Sequence, residues 1–291
     1  GKTLGGSSSI NAMLYVRGNR WDYDHWAGLG NPGWSYDDVL PLFKRSENNE
    51  QFQDSFHGQG GPLNVTCPRF DSPLSQMFLD AAAQNGMALN PDYNGAQQDG
   101  AFLYQVTHKN GERCSAAKGY LTPHLSRPNL KVITRAVTAK IDVQDRRATG
   151  VQFYQGNQLQ AVRARREVIV SAGAFGSPQL LQLSGIGAAQ DLQKLGIAVT
   201  HNLPGVGQNL QDHIDYVQSW SVPSNTASFG VSLRGTGKAL GAIMEWRKQR
   251  SGMVTSAIAS AGAFFKSHPD VAIPDLQLVF VLAQVDDHAR K

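Results

Sequence analysis

The stretch VIVSAGAFGSPQLLQLSG, residues 168–185, combines three signals that together predict a fold class. The continuously apolar run of residues 168–170 is typical of a strand that is buried on both faces of a parallel sheet. Gly173 follows as a turn, and Ser177 with Pro178 predicts the start of a helix. A strand, a tight turn and a helix in this order form half of a doubly wound unit, which predicts an α/β fold of mixed α+β character.

The residues before this stretch predict a β-meander. Residues 130–171 alternate β-branched and polar side chains, a period that is typical of strands. Turn signals at Gln144-Asp145 and Gly156-Asn157 divide the segment into about four strands. Farther along the chain, the apolar run of residues 276–285 predicts one more strand.

Three segments of the first hundred residues carry local signals. Ser35 with Asp38 forms a capping-box pattern, which predicts a short helix, and Pro41 is expected to kink or restart that helix. The Ser-Pro pair at 72–73 predicts a second helix. Residues 19–34 are rich in tryptophan and predict an exposed aromatic loop or lid.

The bulk composition is that of a globular protein. Of 291 residues, 41% are hydrophobic and 17% are charged, which suits one large domain or two ordinary ones. The net charge of +4 is spread along the chain without interleaved aromatic residues, which argues against nucleic-acid binding. No apolar run approaches the ~18 residues of a membrane span. Cys67, Cys114 and the histidines lack ligand spacing, so we expect no metal site. We expect two free thiols in a reducing compartment, and a single disulfide between the two cysteines is the alternative.

Three glycine patterns resemble a dinucleotide fingerprint, but none has the required context. They are GLGNPG at 28–33, GIGAAQ at 185–190 and GVGQNL at 205–210. A phosphate loop needs a preceding strand and the free N–H groups of a following helix N-terminus. None of these stretches combines both, so the chain lacks a credible dinucleotide fingerprint of its own.

The opening segment GKTLGGSSSINAMLYVRG, residues 1–18, predicts a ligand-binding loop. A backbone with few side chains lets a planar ligand approach closely, and Ser7, Ser8, Ser9 and Asn11 supply hydroxyl and amide groups. A flavin ring needs polar contacts of this kind around its edge. The alternative is a flexible glycine–serine linker. The apolar residues 10–16, which follow directly, argue against a linker.

Several stretches carry a family resemblance. GKTLGGSSSINAMLYVRGNRWDYD, residues 1–24, resembles the first signature of the glucose–methanol–choline (GMC) oxidoreductase family. GAFGSPQLLQLSGIG, residues 173–187, is similar to the second signature, and PGVGQNLQDH, residues 204–213, to a third recurrent stretch. DVLPLFKRSE, DYNGAQQDGAF, GERCSAAKGYL and the terminal DDHARK resemble the choline dehydrogenase and alcohol dehydrogenase branch. The resemblance covers essentially the whole chain.

The resemblance implies an architecture of two interleaved domains. Residues 1–60 and 109–211 are expected in a GMC-type FAD-binding domain, with a Rossmann-like sheet and the β-meander. Residues 61–108 and 212–291 are expected in part of a substrate domain built on an antiparallel sheet. In this family the dinucleotide-binding unit precedes the first signature and the catalytic histidine pair lies far downstream. The resemblance therefore implies a central fragment of a longer enzyme, with no catalytic residue of its own.

The resemblance also implies which residues contact FAD. The first signature passes along the flavin ring, which implies contacts from Thr3, Gly5, Gly6, Ser7, Asn11, Ala12, Met13 and Leu14. Val137 matches a position whose backbone meets the adenine, and Ala174 is expected to approach the ADP portion. Some members carry a histidine covalently linked to the flavin where this chain has Ile10. Isoleucine cannot form that bond, so the expected FAD is non-covalent.

The implied reaction is FAD-dependent oxidation of a primary alcohol or choline by hydride transfer to flavin N5. The expected partner is a small-molecule alcohol, and the electron acceptor stays open. One alternative is a hydroxynitrile-lyase-like member that keeps FAD without redox turnover. Another is a non-catalytic FAD-binding scaffold, because the chain by itself is expected to be inactive. The expected location is the cytoplasm, either free or peripheral at the inner face of the membrane.

Overall fold

A computed structural model describes residues 1–220 and 233–283 of the chain. By its internal contacts the chain divides into two compact units. The first unit comprises residues 1–128 together with residues 217–291, and the second comprises residues 129–216. The terminal DDHARK, residues 286–291, lies outside the described residues. The units are defined by contacts alone, so the division into FAD-binding and substrate domains stays a prediction.

Helices and strands are both present in each unit, which confirms the predicted mixed α/β class. The helices are α1 (Arg20–Gly28), α2 (Tyr36–Ser46), α3 (Pro73–Gln84), α4 (Gly173–Leu183), α5 (Ala189–Lys194) and α6 (Leu233–Gln249). The strands are β1 (Glu47–Asn49), β2 (Leu63–Val65), β3 (Gly100–Leu103), β4 (His108–Lys109), β5 (Glu112–Arg113), β6 (Ala136–Gln144), β7 (Arg147–Gln155), β8 (Gln158–Arg163), β9 (Ile186–Gly187), β10 (His201–Asn202), β11 (Ala259–Phe265) and β12 (Leu276–Val281). Within the described ranges, none of the helices combines the length and apolar character needed to cross a membrane.

Two capping boxes start the first two helices. Ser35 accepts from the backbone of Asp38, whose side chain reaches back to Ser35, as predicted. Asn19 and Asp22 form the same reciprocal pair at the start of α1. The prediction of an aromatic loop over residues 19–34 is therefore wrong for its first half, because this cap satisfies free N–H groups of the first turn. The helix α2 continues through Pro41 to Ser46, so Pro41 does not restart it.

The first unit is built around a three-stranded antiparallel sheet in the order β12-β11-β3. Tyr93, Phe102 and Tyr104 form a buried cluster at this sheet, against which Leu14 and Phe264 pack. Burying one such large apolar side chain contributes about 1.5–3 kcal/mol. Leu14 belongs to the opening segment, so the packing of this cluster helps to fix where that segment leaves the core.

The second unit contains the predicted meander, with one strand fewer than expected. The strands β6, β7 and β8 form an antiparallel sheet, and the turns fall at the predicted positions. Residues 168–170 have no strand partner among the described residues, and Ile169 is 78% exposed. The predicted buried strand is therefore not formed here, because a strand needs a neighbouring ladder for its backbone hydrogen bonds.

The helix after this segment begins earlier than predicted. It starts at Gly173 rather than at Ser177, and Pro178 lies inside it. The hydroxyl oxygen of Ser177 accepts a hydrogen bond from the backbone N–H of Ala172 at 3.0 Å. From within the helix, the Ser177 side chain thus binds the backbone of Ala172, the residue just before the first turn. The Ser-Pro pair therefore indicated the right region of the chain but the wrong first residue of the helix.

Candidate functional site

The first 14 residues form a segment whose side chains are exposed or half-buried, here called the ribbon. Gly5 and Gly6 have φ angles of 87° and 59°, in the left-handed region that glycine adopts without strain. They lead into a 3-10 turn over Gly6–Ser9. A Cβ added at Gly5 would lie 2.5 Å from Ser9 Oγ, whereas one at Gly6 would meet no described atom within 4 Å. The backbone around Gly6 therefore faces open space, where a flat ligand can approach it.

The serines of the ribbon have different roles. The Ser8 hydroxyl donates to the backbone oxygen of Gly5 at 2.5 Å, and the Ser9 hydroxyl donates to that of Leu4 at 2.7 Å. These two hydroxyls brace the ribbon itself, and their contact with a ligand stays a prediction. Ser7 is exposed, and no hydrogen bond of its hydroxyl to another described residue is formed.

The second half of the ribbon is anchored on the strand-like segment that precedes β4. Met13 has a φ of 65°, a conformation that costs a non-glycine residue about 1–2 kcal/mol. The backbone N–H of Thr107 donates to Met13 O at 2.9 Å, and Leu14 pairs with Val106. These contacts hold Met13 in its strained conformation.

A buried ion pair anchors the chain where it leaves the ribbon. Arg17 Nη2 lies 2.6 Å from Glu47 Oε2, and the two side chains are 2% and 0% exposed. Glu47 also accepts from Gly58 N at 2.8 Å and from Asn49 Nδ2 at 2.9 Å. The second guanidinium nitrogen of Arg17 donates to Phe56 O at 2.8 Å. Each charge is thus paired and hydrogen-bonded, as a buried charge requires.

One group of described side chains has the composition of a metal site. His57 Nε2 lies 3.2 Å from Asp92 Oδ1, and Asp54 brings a third ligating atom, all within 4.8 Å of one another. Asp54 Oδ1 accepts the backbone N–H of His57 at 3.0 Å, and Asp92 Oδ1 accepts that of Asn94 at 3.2 Å. Burial raises the pKa of Asp92, although the nearby His57 opposes this. Since both carboxylates have backbone donors, we interpret the group as structural, and the absence of a metal site stays a prediction.

The structure brings most of the predicted cofactor residues together. The ribbon contains Thr3, Gly5, Gly6, Ser7, Asn11, Ala12, Met13 and Leu14, all exposed or half-buried. Val137 and Ala174 lie in the second unit, on β6 and in the first turn of α4, and both are exposed. Their neighbours Thr138 and Ala172 line a cavity of about 600 Å³.

Sequence reasoning missed the residue that ties the ribbon to β5. Arg113 Nη1 donates to Ser8 O at 3.1 Å and to Asn11 Oδ1 at 2.8 Å. Arg113 stands in GERCSAAKGYL, which carried a resemblance but no predicted role. Because 102 residues separate Arg113 from Asn11, no local pattern could have indicated the contact.

A family model described as GMC oxidoreductase matches residues 1–215. This chain belongs to that family. The match includes the whole ribbon and the start of α4, so the resemblance read from the two signatures is confirmed.

Individual GMC relatives align with nearly the whole chain. It is 43% identical over 294 residues to an alcohol dehydrogenase [acceptor] of Pseudomonas putida, covering 100% of this chain and 53% of the relative. It is 45% identical over 282 residues to an oxygen-dependent choline dehydrogenase of Sinorhizobium fredii, covering 97% of this chain and 51% of the relative. The chain thus spans about half the length of the curated relatives it matches.

A solved structure supports the same fold. An FAD-dependent oxidoreductase from Chaetomium thermophilum superimposes with a TM-score of 0.80 at 32% identity. The alignment covers 89% of this chain and 48% of that one. The predicted GMC fold is therefore confirmed by both sequence and structure.

Proposed function

We propose that the protein oxidises a small alcohol, either choline or another primary alcohol, with non-covalently bound FAD. The substrates are suggested by the names of the relatives, an alcohol dehydrogenase and choline dehydrogenases. FAD as the cofactor is supported by membership of the GMC family and by the FAD-dependent structural relative. When bound, FAD supplies the acceptor for the hydride that leaves the alcohol carbon.

The observation that carries this proposal is the open backbone face at Gly6. No described atom lies within 4 Å of the place where a side chain would begin, and Ser7 and Asn11 are exposed residues of the same ribbon. These groups fit a flat ligand with polar atoms around its edge. We therefore assign the ribbon residues Thr3, Gly5, Gly6, Ser7, Asn11, Ala12, Met13 and Leu14 to the flavin. We assign Val137 and Ala174 to the adenine and ADP portions because the family resemblance implies those contacts.

Ile10 supports the non-covalent form. Its side chain is 68% exposed on the ribbon and consists of hydrocarbon, which has no atom able to attack a flavin. We assign no catalytic residue in this chain. We propose the cytoplasm as the location, with or without peripheral attachment to the membrane.

The test uses the full-length protein with FAD bound. Anaerobic addition of choline or a primary alcohol is expected to bleach the visible flavin absorbance, and acid precipitation is expected to release the flavin. A flavin that stays bound but is not bleached by any alcohol would favour the lyase-like or scaffold alternatives. A flavin that stays with the precipitated protein would contradict non-covalent binding.

The position of the site is tested by a matched pair of glycines. Gly6→Ala places a methyl group on the open face and is expected to weaken FAD binding by about tenfold or more, a change of ~1.4 kcal/mol. Gly86→Ala is the control, because Gly86 also has a positive φ and an added Cβ there also meets no described atom within 4 Å. Equal FAD affinities of the two variants would refute the placement of the flavin at the ribbon.

A further inference from the structure

The orientation of the Asn11 amide is determined by its partners. Asn11 Oδ1 accepts from Arg113 Nη1 at 2.8 Å and from the backbone N–H of Met13 at 3.1 Å. A guanidinium and a backbone N–H can only donate, so the atom that faces both must be the oxygen. The nitrogen Nδ2 must therefore point away from them.

The nitrogen Nδ2 of this amide is a hydrogen-bond donor with no acceptor among the described residues. Within residues 1–220 and 233–283, no hydrogen bond involves Nδ2 of Asn11, and the residue is exposed. It lies on the same ribbon as the open face of Gly6. A ligand that covers this ribbon would thus meet an N–H₂ group in a fixed direction.

In the described part of the chain, the guanidinium of Arg113 bonds to the ribbon rather than to an acidic side chain. Among the residues that the structure describes, it forms no ion pair with a carboxylate, whereas its neighbour Glu112 pairs with Lys118 and Arg250. Arg113 instead donates to Ser8 O at 3.1 Å and to Asn11 Oδ1. The backbone N–H of Ala116 adds a bond to Ser8 Oγ at 2.9 Å. The segment after β4 therefore clamps the ribbon at two points.

We propose that Arg113 is a positioning residue of the FAD site, which holds the Asn11 amide with its donor turned toward an acceptor atom of the cofactor. This inference rests on the proposed function, since it takes FAD as the ligand of the ribbon. Without Arg113, a half-turn of the amide would lose only the bond from Met13 N, so the oxygen could face the cofactor instead. The fixed orientation removes that competing state before the ligand binds.

A double-mutant cycle in the full-length protein tests the inference, with the dissociation constant of FAD measured by titrating the apoprotein. Arg113→Met is expected to weaken FAD binding by up to about twofold, the limit that is reached when the two orientations of the Asn11 amide become equally populated. In an Asn11→Ala background the same change is expected to leave the dissociation constant unchanged, within about 1.2-fold, because no amide remains to be oriented. Equal effects in the two backgrounds would overturn the inference.

Asn11→Asp provides a second measurement that does not depend on the stability of the Arg113 variant. The aspartate keeps an acceptor for Arg113 and Met13 but presents an oxygen where Asn11 presents its donor. We expect a folded protein that binds FAD at least as weakly as the Asn11→Ala variant. Wild-type affinity in Asn11→Asp would contradict the inference, since the donor would then be unnecessary.

Two controls separate this inference from the proposed function. Arg250→Met removes a guanidinium that contacts Glu112 on the same hairpin at 2.8 Å but not the ribbon, and FAD affinity is expected to stay unchanged. If Gly6→Ala weakens FAD binding while Asn11→Ala does not, the flavin lies at the ribbon and the role of Arg113 is refuted. If neither change affects FAD binding, the proposed site itself fails.

Discussion

Replacing Glu47 by glutamine would remove the negative charge that faces Arg17 while leaving the size of the side chain almost unchanged. Both side chains are nearly inaccessible to solvent, at 2% and 0% exposure. Glu47 accepts from three donors, which are Arg17 Nη2, Gly58 N and Asn49 Nδ2. A glutamine offers only one oxygen, so an N–H₂ group would have to face at least one of these donors.

The expected cost is large because a buried cation would lose its partner. Removing one member of a buried ion pair typically destabilises a protein by about 3–5 kcal/mol. We expect about 4 kcal/mol for Glu47→Gln and a similar cost for Arg17→Met. The double variant leaves no unpaired charge, so its cost should fall below the sum of the two single costs by about 2 kcal/mol.

Urea unfolding followed by tryptophan fluorescence measures these free energies in the relevant part of the chain. All five tryptophans belong to the first unit, which contains Arg17 and Glu47. The free energy of unfolding is extrapolated to zero urea for the wild type, both single variants and the double variant. A cost below about 1 kcal/mol for Glu47→Gln, or strictly additive costs, would refute the view that this pair anchors the end of the ribbon.

Three further predictions concern the stability of the first unit, each measured from its urea midpoint. An added Cβ at Gly58 would overlap the backbone carbonyl of Lys44, so Gly58→Ala should cost more than about 2 kcal/mol. At Gly28 an added Cβ meets no described atom within 4 Å, so the control Gly28→Ala should change stability by under ~0.5 kcal/mol. Asn19→Ala removes the cap of α1 and should cost ~1 kcal/mol; an unchanged midpoint would contradict the capping role. Burial lowers the pKa of His108 from its ordinary 6.5, so the unfolded state takes up the proton first and stability should fall as the pH drops below ~6.5, by at most ~1.4 kcal/mol per pH unit. His108→Gln should flatten this dependence, and an unaltered slope would refute its origin in His108.

The features that depend only on residues close together in the sequence were predictable. The cap at Ser35 and the turns at Gln144-Asp145 and Gly156-Asn157 appear where their signals lie, since each is decided by residues a few positions apart. The cap of α1 carried an equally local signal in Asn19 and Asp22, which the tryptophans of that segment obscured. The strand predicted over residues 168–170 failed because it depends on a partner strand, which no local pattern supplies.

The same distinction applies to the candidate site. The glycines of the ribbon predicted its open backbone face directly from the sequence, because that face consists of backbone without side chains. The residues that hold the ribbon were not predictable, since 102 residues separate Arg113 from Asn11 and 30 separate Arg17 from Glu47. Such pairs meet only once the chain has folded.

The discontinuous first unit has a consequence for synthesis on the ribosome. Its two parts meet through the hydroxyls of Ser75 and Ser260, 185 residues apart, and through Tyr104 and Gln277, 173 residues apart. At about 5–20 residues per second, roughly 10–40 s pass between the emergence of the two sides. The inserted second unit can complete its meander during that wait. Meanwhile Phe102 and Tyr104 lack their later partner β11 on the nascent chain, so one side of the aromatic cluster stays exposed. Transiently exposed apolar surface of this kind is what chaperones protect.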